Sequence, residues 1–393
     1  SLSLSTQKKI LRKQTHFGKI IFEENRYLAK EIWLCYNRGM KIKTLSLKRF
    51  RNFKEMEIEF GDGLTLVLGK NGVGKTNLLE AIHYLGTLRS FRRAKEKDMV
   101  SFGEEFFEVK GKTDGLEIKV LWMAGKKNIE LDGKRIKKVE DAFGKLLTVA
   151  FTSHDLFLID GPPQERRRFF DMLLSKIDIS YLSDLIAYRK VLKQRNALLS
   201  REEIKEEEMN IWDEQLIPLG ERIVQKRREL LKDFREKVKN FFEVLSGKKL
   251  EIIYNPTFDP DKGMRGELLA RREAERIYHT TLTGPHRDNY IFLVDGKDAK
   301  KFSSLGERRA LAFALRLSEA ETIREKRDEY PVLLLDEVIG ELDRTRVYNT
   351  LKLVLSYPQT FLATAREEVL STEGVNVIRI DTEDGTPVIE RSY

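Results

Sequence analysis

Only one cysteine, Cys35, stands among the 393 residues. That excludes an internal disulfide framework and a cysteine metal cluster, and it points to a reducing compartment. Proline is scarce, at nine. Between residues 164 and 245 only Pro218 occurs, so this stretch is open to long helices. No run reaches the roughly 18 apolar residues that a membrane-spanning helix needs. The start lacks the long apolar core of a secretory signal. The expectation is a cytoplasmic protein with no membrane partner. The five histidines lack metal-ligand spacing, so zinc is not expected.

What is present is a globular composition, 41% hydrophobic and 34% charged. The length suits two or three domains. Lys and Arg number 72 against 63 Asp and Glu, a net charge of +9. Such a surplus suits a polyanion such as nucleic acid without establishing one.

Residues 1–39 are polar and basic with weak periodicity, and read as a non-native or loosely attached extension. A basic arm for DNA is the alternative, although Glu23, Glu24 and Glu31 interrupt it. Strand-like alternation begins at Met40. Apolar strands are expected at 64–69, 145–152, 250–255, 290–294, 331–337, 359–365 and 375–381, with Asp114-Gly115 and Asp132-Gly133 as hairpin turns. Residues 164–248 carry apolar positions at helical spacing, and helices fit 306–328 and 341–355. The fold class expected is α/β, a P-loop ATPase domain with a mixed sheet, interrupted by a helical domain. The expected boundaries are 40–163 and 249–393 for the two parts of the ATPase domain and 164–248 for the insertion.

The strongest motif is Gly69-Lys70-Asn71-Gly72-Val73-Gly74-Lys75-Thr76, followed by Asn77. It has the form G-x-x-x-x-G-K-[ST], after an apolar strand and at the start of an amphipathic helix. The glycines let backbone N–H groups face phosphates, Lys75 reaches the β- and γ-phosphates, and the Thr76 hydroxyl ligates Mg²⁺. The cofactors expected are therefore ATP and Mg²⁺. Val332-Leu333-Leu334-Leu335-Asp336-Glu337 is a buried strand ending in acids. Asp336 would hold the metal and Glu337 would polarise the attacking water, with Lys75 as the third catalytic residue.

Ser303-Ser304-Leu305-Gly306-Glu307-Arg308-Arg309 opens a helix about 30 residues before Asp336. It resembles the signature of ABC-type ATPases, in which Ser304, Gly306 and Glu307 would face the γ-phosphate bound by another protomer. Ser304 with Glu307 is also a helix capping box, and the two readings are compatible. Gly340-Glu341-Leu342-Asp343 resembles the D-loop of that class, placing Asp343 near a dimer seam; helix-end charge compensation is the alternative. The histidine usual after the next strand is missing from Phe361-Leu362-Ala363-Thr364-Ala365-Arg366, where Thr364 is the nearest polar candidate.

Beyond these motifs, Leu47-Lys48-Arg49-Phe50-Arg51-Asn52-Phe53, Gly161-Pro162-Pro163-Gln164-Glu165-Arg166-Arg167-Arg168-Phe169-Phe170-Asp171, Leu192-Lys193-Gln194-Arg195-Asn196 and Thr283-Gly284-Pro285-His286-Arg287-Asp288 resemble blocks of the RecF family. These are SMC-like ABC ATPases of bacterial DNA repair. The resemblance runs from Met40 to about Ile380. It implies a weak, DNA-stimulated ATPase that closes as a homodimer on ATP and binds double-stranded, gapped or junction DNA. It also implies RecO and RecR as partners in placing a recombinase on single-stranded DNA.

Other residues keep two readings. Arg166, Arg167 and Arg168 could contact DNA phosphates or pair with acids on nearby helices. Arg89, Arg92 and Arg93, with Lys95, form a basic loop that could meet DNA. His286 is either a satisfied structural histidine or a residue near the nucleotide or seam. Asp155 stands where ABC enzymes carry a glutamine and could touch Mg²⁺ through water. A transporter ATPase subunit and a small P-loop kinase share parts of this pattern. The highly charged insertion argues against the first, and 303–309 against the second.

Overall fold

The computed structural model describes residues 39–337, 354–365, 375–383 and 386–392. The extension up to residue 38, the 340–343 motif with Asp343, Arg366 and nearly all of the helix expected at 341–355 lie outside these residues.

By compactness the chain divides in two. Residues up to His154 and from Ala320 onward form one unit, and Asp155–Glu319 forms the other. The first holds two six-stranded sheets. One is antiparallel, in the order β2-β1-β4-β5-β6-β7. Its strands are β1 (Ile42–Phe50), β2 (Phe53–Glu59), β4 (Phe106–Thr113), β5 (Glu117–Met123), β6 (Lys126–Leu131) and β7 (Lys134–Arg135). Polar and apolar residues alternate along β2, as suits a sheet with one face in the core. Asp132 and Gly133 both take positive φ between β6 and β7, the backbone that a tight hairpin requires.

The other sheet runs β15-β14-β3-β13-β12-β8. It is built from β3 (Gly63–Leu68), β8 (Thr148–Phe151), β12 (Val332–Asp336), β13 (Gln359–Thr364), β14 (Asn376–Glu383) and β15 (Thr386–Ser392). Five strands are parallel and β15 closes one edge antiparallel. Every residue of β12 and β13 is buried, which explains the apolar runs Val332-Leu333-Leu334-Leu335 and Phe361-Leu362-Ala363 at their centres. Helix α1 (Lys75–Thr87) packs against β8, β12 and β13 of this sheet and β1, β4 and β5 of the antiparallel one. Covered from both sides, it is buried nearly all round, with Leu78, Leu79, Ile82, Tyr84 and Leu85 joined by buried Glu80 and His83.

The second unit contains α2 (Pro163–Ile177), α3 (Ile179–Leu199) and α4 (Glu206–Ser246). It also holds a small antiparallel sheet of β9 (Leu250–Asn255), β10 (Asn289–Val294) and β11 (Lys297–Asp298). Asp178 separates α2 from α3 by accepting the amides of Ser180 and Tyr181 as an N-cap. At 41 residues, α4 extends about 60 Å. Helix α5 (Leu305–Arg327) begins in this unit. The unit is wider than the 164–248 insertion expected from sequence. The reason is aromatic: Tyr290 of β10 stacks on Phe170 at 4.0 Å and on Tyr254 of β9 at 4.8 Å, while Phe170 meets Phe234 of α4 edge-on. Strands that follow the helices in sequence thus share their core.

Candidate functional site

The phosphate loop leaves the C-terminal end of β3 and opens α1. Gly69, Gly72 and Gly74 all have positive φ, at 152°, 87° and 123°. A Cβ on Gly69 would lie 2.3 Å from the Ile380 carbonyl oxygen, and one on Gly74 would lie 2.9 Å from the Asn52 amide nitrogen. Two of these glycines are therefore fixed by close approach as well as by backbone angle. Lys75, which is buried, donates its ammonium to the Gly69 and Lys70 carbonyls at 2.8 and 2.9 Å. Its third donor faces Glu337, 3.5 Å away. Lys70 and Asn71 lie at the exposed crest of the loop, and Val73 is buried beneath it.

Register brings the acids to the loop. Asp336 ends β12 opposite Ala363 of β13, and Thr364 pairs with Leu68 of β3. The three strand ends and the loop share one edge of the sheet, where ligands sit in open α/β folds. The Thr76 hydroxyl donates to Asp336 Oδ1 at 2.9 Å. Burial raises the Asp336 carboxyl above its ordinary range; the Thr76 bond opposes this and the Glu337 charge adds to it. Two hard oxygen donors side by side, one a desolvated carboxylate, fit Mg²⁺. Glu337 follows in the left-handed region, at φ 56°, with its N–H donated to Ala363. A non-glycine residue held there is a strained placement of the kind concentrated at functional sites. Its side chain stays 41% exposed, so water can reach it. Lys75, Thr76, Asp336 and Glu337 are thus brought together as the sequence suggested.

Asn77 and Asn52 extend the site. Asn52 donates to the Val73 carbonyl at 2.8 Å and accepts from Asn77 at 2.7 Å. Asn77 in turn accepts from Arg92 at 2.9 Å. Arg51 forks onto the buried Glu80 at 2.8 and 2.9 Å, and Ser90 donates to the same carboxylate. Only the resemblance of 47–53 to a family block hinted at Asn52, and nothing in local spacing gives it this role. Arg89, Arg92 and Arg93 are all exposed. Thr364 is fully buried, which leaves no face for sensing a phosphate.

The signature residues open α5. Ser304 N–H donates to Glu307 Oε2 at 2.7 Å and Glu307 N–H to Ser304 Oγ at 3.3 Å, a complete capping box. Lys248 grips the other Glu307 oxygen at 2.5 Å and, with the Ser304 amide, holds that carboxyl below its usual range. Ser304 is exposed and Gly306 half-buried.

Within the second unit the structure decides between readings that the sequence left open. Arg166 is buried, its guanidinium donated to Asn289, Leu158 and Gly161, so it has no face for DNA. Arg167 is half-buried and donates to the Asp288 carbonyl at 2.6 Å; of the three arginines only Arg168 is exposed. Asp155 is buried in an ion pair with Arg316 at 2.5 Å, which takes it away from any metal. His286 is structural: its Nδ1 faces the Tyr188 hydroxyl at 2.6 Å and its Nε2 the Thr281 carbonyl at 3.0 Å. Desolvation lowers its pKa to about 4, so it is neutral at pH 7.

The family-like blocks converge on buried ion pairs. Arg227 holds Asp171 at 2.7 Å and Asp288 at 2.9 Å. Arg195 holds Asp213 and Glu275, both at 2.7 Å.

A phosphate loop after β3, an acid pair at the end of β12 two strands away and a capped signature helix define a P-loop ATPase of the ABC and SMC kind. Residues 41–387 match the family described as the RecF/RecN/SMC N terminal domain. A DNA replication and repair protein RecF from Caldanaerobacter subterraneus is 36% identical over 84% of this chain and 96% of its own. One from Agathobacter rectalis is 37% identical over 82% and 91%. A solved structure of the recombination mediator protein RecF with ATP, in the RecFOR pathway, superimposes with a TM-score of 0.84 at 34% identity, covering 91% of this chain and 98% of that one. An Smc head domain from Pyrococcus furiosus shares the fold, with a TM-score of 0.54 at 18% identity. The chain belongs to the RecF family of DNA replication and repair proteins. Among the described residues no helix is long and apolar enough to cross a membrane.

Proposed function

We propose that the protein is an ATP-dependent DNA-binding ATPase of recombinational repair. The observation that carries this is the convergence of Lys75, Thr76, Asp336 and Glu337 at one sheet edge, with Thr76 and Asp336 2.9 Å apart. Backbone N–H groups of 69–76 and the Lys75 ammonium would cradle the phosphates. Thr76 and Asp336 would hold Mg²⁺, which when bound neutralises charge on the phosphates. Glu337 would orient water and accept its proton.

The signature Ser304–Glu307 needs a phosphate from another protomer, so ATP would join two chains head to tail, and slow hydrolysis would release them. The solved RecF with ATP supports nucleotide binding by this fold. Exposed arginines, Arg89, Arg92, Arg93 and Arg168, would meet DNA through its phosphates, independent of sequence. RecO and RecR are the partners that the pathway name of the solved relatives suggests. Glu337→Gln with saturating Mg-ATP is expected to accumulate as a dimer in analytical ultracentrifugation. A variant that binds ATP and stays monomeric would defeat the sandwich.

A further inference from the structure

The phosphate loop is gripped from outside by a directed chain of hydrogen bonds. Arg92 Nη1–H donates to Asn77 Oδ1 at 2.9 Å, Asn77 Nδ2–H to Asn52 Oδ1 at 2.7 Å, and Asn52 Nδ2–H to the Val73 carbonyl at 2.8 Å. Each amide donates one way and accepts the other, so the chain has a single polarity. It ends inside the phosphate loop, on the peptide between Val73 and Gly74.

In a trans peptide the C=O and N–H point in opposite directions. By pulling the Val73 carbonyl outward, Asn52 turns the Gly74 N–H inward, toward the place a phosphate would take. Lys75 works from within the loop instead, drawing the Gly69 and Lys70 carbonyls toward its own ammonium. Asn52 sits so close to Gly74 that a Cβ there would be 2.9 Å from its amide nitrogen. Gly72 and Gly74, on either side of Val73, both have positive φ. The Val73–Gly74 peptide has a glycine on its far side, where rotation is easy, and an outside grip is what would hold it.

The far end of the chain lies on a basic loop. Residues 89–98 carry Arg89, Arg92, Arg93, Lys95 and Lys97 against Glu96 and Asp98. Glu96 is itself paired with Lys127 at 2.7 Å. The loop is pinned to α1 a second time, because Ser90 donates to Glu80 and accepts the Arg92 amide at 3.0 Å.

We propose that Asn52 is a positioning residue of the nucleotide site, and that Asn52 and Asn77 couple phosphodiester binding at Arg92 to nucleotide affinity. This rests on the phosphate loop being a nucleotide site. Asn77 engages one donor of Arg92, and a guanidinium carries five. A phosphodiester taking others immobilises a long exposed side chain and removes the rotamer freedom that opposes the chain. The Val73–Gly74 peptide is then held more firmly, and nucleotide binds more tightly. Linkage makes the effect mutual: nucleotide strengthens the hold on DNA by the same factor.

The test measures the dissociation constant of a fluorescent ATP analogue with Mg²⁺, with and without saturating duplex oligonucleotide at low salt. In the wild type, duplex is expected to tighten nucleotide binding about tenfold. Asn77→Leu, of similar size but unable to donate or accept there, is expected to bring that ratio to one. Arg92→Leu cuts the chain at an exposed side chain, where folding is not at stake, and is expected to do the same. Asn52→Ala is expected to weaken nucleotide binding even without duplex and, because it is the last link of the chain, also to bring the ratio to one. A wild-type ratio of one, or a ratio kept by both Asn77→Leu and Arg92→Leu, overturns the coupling. A wild type that binds no nucleotide at all removes the phosphate-loop reading and this proposal with it.

Discussion

Lys75 places two ammonium donors on loop carbonyls and leaves the third facing Glu337. That geometry makes it both a brace for the loop and the cation nearest the acid. Lys75→Ala is expected to abolish nucleotide binding in equilibrium dialysis with Mg-ATP; retained binding would remove the assignment. His286 makes a different prediction, because its pKa of about 4 lies below the ordinary 6.5. Between those values the unfolded chain binds a proton that the folded one does not, so stability is full above pH 6.5 and falls as pH drops toward 4. The loss from this residue is about 2 kcal/mol at pH 5. Urea unfolding at pH 7 and pH 5 measures it, and His286→Gln should show the smaller difference.

Among the elements, the long helices of the second unit are joined by charge as much as by apolar packing. Arg227 of α4 bridges Asp171 of α2 and Asp288 just before β10. Removing one partner of such a buried pair strands the others, so Arg227→Ala is expected to cost about 3–5 kcal/mol in urea unfolding. The phosphate loop and the acid strand were legible in sequence because each is contiguous and each function follows from residue type at fixed spacing. The parallel strands were legible because burial on both faces leaves unbroken apolar runs. The ion pairs were not. Arg227 and Asp171 stand 56 residues apart, and Arg195 and Glu275 stand 80 apart, so only the fold brings them together. Sequence likewise left Arg166 and Arg167 open between DNA contact and pairing with nearby acids, whereas the structure ties them to Asn289 and to backbone carbonyls. Asn52 escaped notice because its partner is a backbone carbonyl, and a carbonyl leaves no trace in the sequence.

At the scale of the whole molecule, one chain carries a phosphate loop with its acids in one compact unit and the start of a signature helix in the other. In the head-to-tail arrangement proposed, neither half of the catalytic site suffices alone, and a second chain completes it. On that reading DNA would be held through phosphate contacts, which would raise the local concentration of protomers and favour the closed pair. ATP turnover per protomer, measured against protein concentration with and without double-stranded DNA, tests this most directly. The account predicts a specific activity that rises with concentration and rises further with DNA. A specific activity that is flat with concentration and indifferent to DNA would contradict it, because a single chain would then hold a complete site.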